Sequence, residues 1–129
     1  MTGRDPRRLD RQALGRAGED AAARYLEHRG YRILDRNVRA DGVELDLVVR
    51  RGPTLAIVEV KTRRSLRAGR PEEAVDARKQ ARLVRGARAW SRAHETRTRR
   101  IRFDVVACEV TATGFRVRHW EAAFDAASD

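Results

Sequence analysis

Two carboxylates and a lysine fall where strands would carry them. Asp46 lies in Val43-Glu44-Leu45-Asp46-Leu47-Val48-Val49, and Glu59 and Lys61 close the run Leu55-Ala56-Ile57-Val58-Glu59-Val60-Lys61. Residues two apart on a strand share a face, so Glu59 and Lys61 point the same way, as do Glu44 and Asp46. If the two strands pair antiparallel with their charged faces coincident, Asp46 comes near Glu59; the register itself stays open. Two carboxylates and the main-chain carbonyl of Val60 would then form the oxygen-rich half of an octahedral Mg2+ or Mn2+ site, with waters completing it. Lys61 would orient or deprotonate the attacking water, or steady charge on a phosphate, while the metal polarises the phosphoryl group. This is the chemistry of a metal-dependent nuclease. Lys61 is also one of only two lysines among the chain's 29 basic residues. A guanidinium stays charged, whereas an ammonium shifts its pKa when desolvated. The competing reading is a pair of exposed strand charges. Against it, the run is apolar on both faces until this end, and unpaired charge beside a core is costly.

The elements that must position these residues follow from periodicity and punctuation. Residues 1–10 lack a pattern and read as a flexible basic tail. From Arg11 to Arg29, Leu14, Gly18, Ala21, Ala22 and Tyr25 form a helical stripe whose small residues let the helix approach a sheet, and Gly30 ends it. Tyr31–Val38 and Val43–Val49 read as a hairpin about Asp41-Gly42, with Val43, Leu45, Leu47 and Val49 on one face. Thr54–Lys61 is a central strand, apolar on both faces. Residues 62–70 read as a mobile basic loop, and Pro71-Glu72-Glu73 opens a helix to about His94 with proline and acids at its start. Its expected buried side is Ala74, Ala77, Ala81, Val84 and Ala87. Ile101–Val110 and Phe115–Trp120 are two further strands, and 123–129 a C-terminal tail. The order α-β-β-β-α-β-β predicts one α/β sandwich over residues 11–122. Its strand–helix–strand passage makes a parallel pair.

A chain of 129 residues with 41% hydrophobic content supports a single core. The net charge of +10 calls for an anionic partner, nucleic acid above all, although arginine-rich composition also follows from codon bias. No apolar run approaches the ~20 residues of a membrane span. The start has no apolar stretch of a secretory signal, so a cytoplasmic location without membrane contact is expected. The single cysteine, Cys108, excludes an internal disulfide and a cysteine-based zinc site. It reads as a small core residue.

Several segments occur together in order: Gly15-x-x-Gly18-Glu19, Gly30-Tyr31-Arg32-Ile33-Leu34, Asn37-Val38-Arg39, the Glu-Leu-Asp-Leu of 44–47 and Val58-Glu59-Val60-Lys61-Thr62-Arg63. They are followed by Gly69-Arg70-Pro71-Glu72-Glu73-Ala74-Val75, Lys79-Gln80-x-Arg82 and Arg102-Phe103-Asp104-Val105-Val106. Over residues 12 to 110 the chain resembles the YraN-like family of small bacterial proteins. That family is placed in the PD-(D/E)XK nuclease superfamily, with a restriction endonuclease-like core similar to Holliday-junction resolvases. The resemblance implies four site residues: Glu19 on the first helix, Asp46, Glu59 and Lys61. The chain departs from the family's Gly-Glu-Ile-Asp by setting Val43 between Gly42 and Glu44, which leaves the role of Glu44 open.

Arg63, Arg64, Arg67 and Arg70 after Lys61, and Lys79, Gln80 and Arg82 on the following helix, are candidate nucleic-acid contacts. Trp90 and Trp120 have apolar neighbours and are expected to pack. His28, His94 and His119 lack ligand spacing, and Asp104 reads as structural. The expectation is a metal-dependent DNA endonuclease, with branched or otherwise structured DNA a candidate substrate and a homodimer suiting that task. The alternatives are a nucleic-acid-binding module that kept the fold without catalysis, and a basic surface that docks an acidic protein.

Overall fold

Asp10 begins the first helix by accepting the Ala13 N–H at 2.8 Å, which satisfies one of the helix's free donors. Helix α1 (Arg11–His28) buries Leu14, Gly18, Ala22, Ala23 and Leu26. The computed structural model describes residues 5–65, 75–94 and 100–124. After α1 come β1 (Arg32–Ala40), β2 (Val43–Arg51), β3 (Thr54–Arg63), α2 (Ala77–Ala93), β4 (Arg100–Thr111) and β5 (Gly114–Phe124). The fold is a single α/β domain with a five-stranded mixed sheet and two helices, in the order expected from the sequence.

The strands lie in the order β1-β2-β3-β4-β5, with β3 and β4 parallel and the other neighbours antiparallel. Ala40 pairs with Val43 across a two-residue turn in which Asp41 (φ 51) and Gly42 (φ 72) are both left-handed. That is the turn whose twist matches a hairpin, and it suits Asp-Gly. Val43 is therefore the first residue of β2, buried, while Glu44 stands exposed opposite Arg39. Successive residues of β3 alternate between two cores. Leu55 and Ile57 join Leu83, Ala87 and Trp90 of α2, whereas Ala56 and Val58 join Ala22, Ala23 and Leu26 of α1. The helices thus cover opposite faces of the sheet.

Glycines set how closely they sit. A Cβ at Gly18 would fall 2.0 Å from Thr62 Oγ1, and one at Gly86 3.0 Å from Val43 Cβ. Cys108 is wholly buried, its Sγ 3.4 Å from the Gly18 carbonyl, and burial raises its thiol pKa to about 12. Trp90 is buried as expected, and its indole N–H donates to Asp35 at 3.0 Å.

Several expectations are corrected. Helix α2 starts at Ala77, because the extended Asp76 caps it through Lys79 N; Pro71-Glu72-Glu73 lie outside the described residues. Its buried side is Leu83, Gly86, Ala87 and Trp90, with Ala77 and Ala81 exposed. Leucine and tryptophan offer the larger apolar area, so they take the sheet side. Thr62 and Arg63 belong to β3 and not to a loop. Part of the expected N-terminal tail is ordered: Pro6–Arg8 form a 3-10 turn with Pro6 buried. The boundary at 122 is two residues short, since β5 reaches Phe124, which stacks on Phe103 at 4.9 Å. Alternation in β2 also breaks. Val43, Leu45 and Val48 enter the α2 core, whereas Leu47 and Val49 enter the α1 core.

Candidate active site

That break in alternation coincides with a parting of strands. β2 and β3 pair from Arg51↔Thr54 as far as Leu47↔Val58, and no further, although β3 continues beside β4 to Arg63↔Glu109. A gap therefore opens along one edge of β3. Asp46, the next residue of β2, fills the place of the missing partner: its Oδ2 accepts the Val60 N–H at 2.9 Å. A strand residue sends its N–H and C=O to the same side, so the Val60 carbonyl faces the gap too. Glu59, buried, lies between Val58 and Val60 on the α2 face. Its Oε2 is 3.4 Å from Lys61 Nζ and 2.5 Å from Lys79 Nζ. Both of the chain's lysines thus meet one carboxylate. From α1, Glu19 completes the surroundings: its charge acts on Asp46, and its Oε1 accepts from Asn37 Nδ2 at 2.8 Å.

The model of the uncharacterised protein family UPF0102 matches residues 18–108, which span the helical acid, the parted strands and Lys79. The chain belongs to this family. A UPF0102 protein of Anaeromyxobacter dehalogenans is 50% identical over 115 residues, covering 89% of this chain and 86% of the relative. One from Syntrophotalea carbinolica is 48% identical over 117 residues, covering 89% and 94%. Among solved structures, SfsA of Pyrococcus furiosus in complex with Ca2+ is similar at TM-score 0.42 and 16% identity, over 88% of this chain and 64% of that longer one.

In this UPF0102 site the charges are unevenly balanced. Burial, then the neighbouring Glu59 charge and more weakly Glu19, raise the Asp46 carboxyl to about 7, against the Val60 N–H and Lys79. Lys61 is lowered, chiefly by burial, with the nearby Lys79 ammonium adding to it and Glu59 opposing. Burial alone would lower Lys79 as well, but its hydrogen bond to Glu59 and that carboxylate's charge hold it above the usual lysine value. Among the described residues no three His, Cys, Asp or Glu side chains are grouped to hold a metal unaided. The donor set is two carboxylates and a main-chain carbonyl. It fits a hard cation that keeps several waters, and it lacks the nitrogen and sulfur that zinc sites use.

The remaining candidates divide. Arg63 and Arg82 are exposed. Arg64 is occupied within the chain, donating to the carbonyls of Arg7 at 3.3 Å and Leu9 at 2.7 Å. Gln80 likewise donates to the Val75 carbonyl at 2.8 Å, holding the approach to α2. Arg67 and Arg70 lie outside the described residues. Glu44 is exposed and has no place among the site carboxylates. Lys79, expected only as a substrate contact, instead grips Glu59. Its rarity as a lysine in an arginine-dominated chain was the signal for it.

A second polar cluster lies across the sheet from Glu59, about Asp104, which pairs with Val58. Asp104, 1% exposed, accepts two bonds from Arg102 at 2.8 Å, one from the His119 ring at 2.8 Å and the Ala122 N–H at 3.0 Å. Arg102 also donates to the Tyr31 hydroxyl. Burial would raise the Asp104 carboxyl, but His119, Arg102 and the Ala122 N–H together hold it below its ordinary value. Its role is structural, as the sequence suggested.

Proposed function

We propose that this protein hydrolyses phosphodiester bonds in DNA with Mg2+ or Mn2+, as an endonuclease of the PD-(D/E)XK type. The observation that carries the reading is the parting of β2 and β3 at Asp46 and Glu59. There, two acids and a main-chain carbonyl share a gap edged by a lysine whose pKa burial lowers. Asp46, Glu59 and the Val60 carbonyl would hold the cation. When bound, it supplies Lewis-acid polarisation of the phosphoryl group and a more acidic water.

The chain's own groups do the rest. Lys61 Nζ stands 3.4 Å from Glu59, and burial lowers its pKa below the ordinary lysine value, the direction that favours an amine exchanging a proton with water. Lys79 fixes the Glu59 carboxylate from α2. Glu19, tethered by Asn37, adds negative charge behind Asp46. The test is incubation with branched, single-stranded and duplex DNA, with Mg2+, Mn2+ or EDTA. Cleavage that needs metal, and that falls by about 100-fold or more in Asp46→Asn and Lys61→Ala, is expected. Equal background cleavage by wild type and Asp46→Asn would end the proposal.

A second reading rests on Lys79: with two ammonium groups against it, Glu59 has its countercharge without any metal. A nucleic-acid-binding module that has kept the fold would bind DNA in a salt-sensitive way, with or without divalent ions.

A further inference from the structure

Gly15 stands in the second turn of α1, inside a regular helix, where glycine is about 1 kcal/mol less favourable than alanine. Gly18 and Gly86 are explained by close approach, because a Cβ at either would run into Thr62 or Val43. Among the described residues Gly15 has no such reason: a Cβ there meets nothing within 4 Å. What it faces is a groove of about 480 Å³ whose lining includes Leu14, Gly15 and Thr62, together with Arg11, Arg63 and Arg64. None of the described residues lining this groove is acidic. One wall is fixed in place, since Arg64 ties the β3 end to the carbonyls of Arg7 and Leu9. Thr62 follows Lys61 directly, one Cα step of about 3.8 Å along β3. Its side chain is turned to Gly18 of α1 and that of Lys61 to Glu59 on the α2 face, so the groove and the candidate active site adjoin at the end of β3 from opposite faces of the strand.

A bare patch of helix backbone between exposed arginines suits a chain that carries both bulk and regularly spaced negative charge. We propose that this groove seats the sugar–phosphate backbone of the nucleic-acid strand next to the scissile phosphate. The missing side chain at Gly15 admits the sugar, and Arg11 and Arg63 take the flanking phosphates. The assignment rests on the nuclease reading for its position relative to the chemistry, but not for its binding.

It is tested by fluorescence anisotropy of a labelled single-stranded oligodeoxynucleotide in EDTA, with the salt concentration varied. Gly15→Leu fills the groove and, as a better helix former, keeps or raises the melting temperature. It is expected to weaken binding about tenfold with an unchanged salt slope, because it removes space and not charge. Gly15→Ala should fall between it and wild type. Arg63→Gln should lower the slope of log K against log salt by about 0.7, the loss of one phosphate contact on a single strand. Wild-type affinity in Gly15→Leu, or no binding by the wild type at low salt, overturns the proposal. Binding that Gly15→Leu weakens, in a protein that never cleaves, sustains the groove and removes the hydrolytic reading. Cleavage with binding indifferent to Gly15 does the reverse.

Discussion

Asp46, partly buried, and Asp104, almost wholly buried, are acids on neighbouring parts of one sheet, and they are treated in opposite ways. Asp104 receives four hydrogen bonds, two of them from a guanidinium, and its carboxyl is held below the ordinary value. Asp46 receives one main-chain N–H and faces another carboxylate, and its carboxyl is raised to about 7. Burial is common to both; the supply of donors differs. A buried acid whose partners are complete fastens elements together. One left short of positive charge is a vacancy in the electrostatic balance that a divalent ion would fill. Both lie level with Val58 of β3, Asp46 where β2 parts from it and Asp104 beside it on β4, so the two acids differ in their partners and not in their place along the sheet.

The contrast is most sharply broken at Asp104. Asp104→Ala should destabilise the fold by about 3–5 kcal/mol, since it leaves Arg102 and His119 without their acceptor; urea unfolding measures it. A loss below about 1 kcal/mol would mean the cluster is incidental. Acid should act in the same direction. With its folded value depressed, Asp104 stabilises above its unfolded value of 3.8, and that contribution is lost as pH falls through the folded value.

Asp46→Asn should do the opposite. With the folded carboxyl raised from 3.8 to about 7, wild-type stability declines as pH climbs between those values and levels off above them. Asparagine has no such decline, so the two unfolding curves should agree near pH 4 and diverge to as much as ~3 kcal/mol by pH 8. Parallel curves across this range would show that Asp46 ionises as freely as in solvent.

Mg2+ or Mn2+ should stabilise wild type by about 2.7 kcal/mol at a hundred times its Kd, and more at pH 8 than at pH 6, because the ion needs Asp46 ionised. A thermal melt of Asp46→Asn that responds equally would place the ion elsewhere. The smallest effect is expected from Lys79→Gln. The side chain is more than a third exposed and screened by water, so the loss is about 0.5–1 kcal/mol. Its metal affinity should rise, because a competing cation has been removed from Glu59; isothermal titration distinguishes this from a merely structural lysine.

Much of this arrangement was legible in the chain. Asp41-Gly42 fixed a tight hairpin, and the four apolar residues ahead of Glu59 marked a central strand, while the register that decides how near Asp46 comes to Glu59 stayed open. The parting of β2 and β3 was not legible, because Leu45 and Leu47 are the same residue type and only tertiary packing sends them to different cores. The start of α2 was misread because Pro71 and two acids offered a plausible opening, while Asp76 holds the cap. Lys79 reaches Glu59 across twenty positions of chain, and two of the donors of Asp104, His119 and the Ala122 N–H, come from the strand beyond it. No local pattern encodes such pairings.

Cys108 carries a practical consequence. The chain's single thiol is sealed beneath α1 with its sulfur against the Gly18 carbonyl, so a maleimide can reach it only when that helix lifts. The labelling rate is therefore a built-in clock for the detachment of the helix that bears Glu19 and Gly15, readable by mass spectrometry without altering a residue.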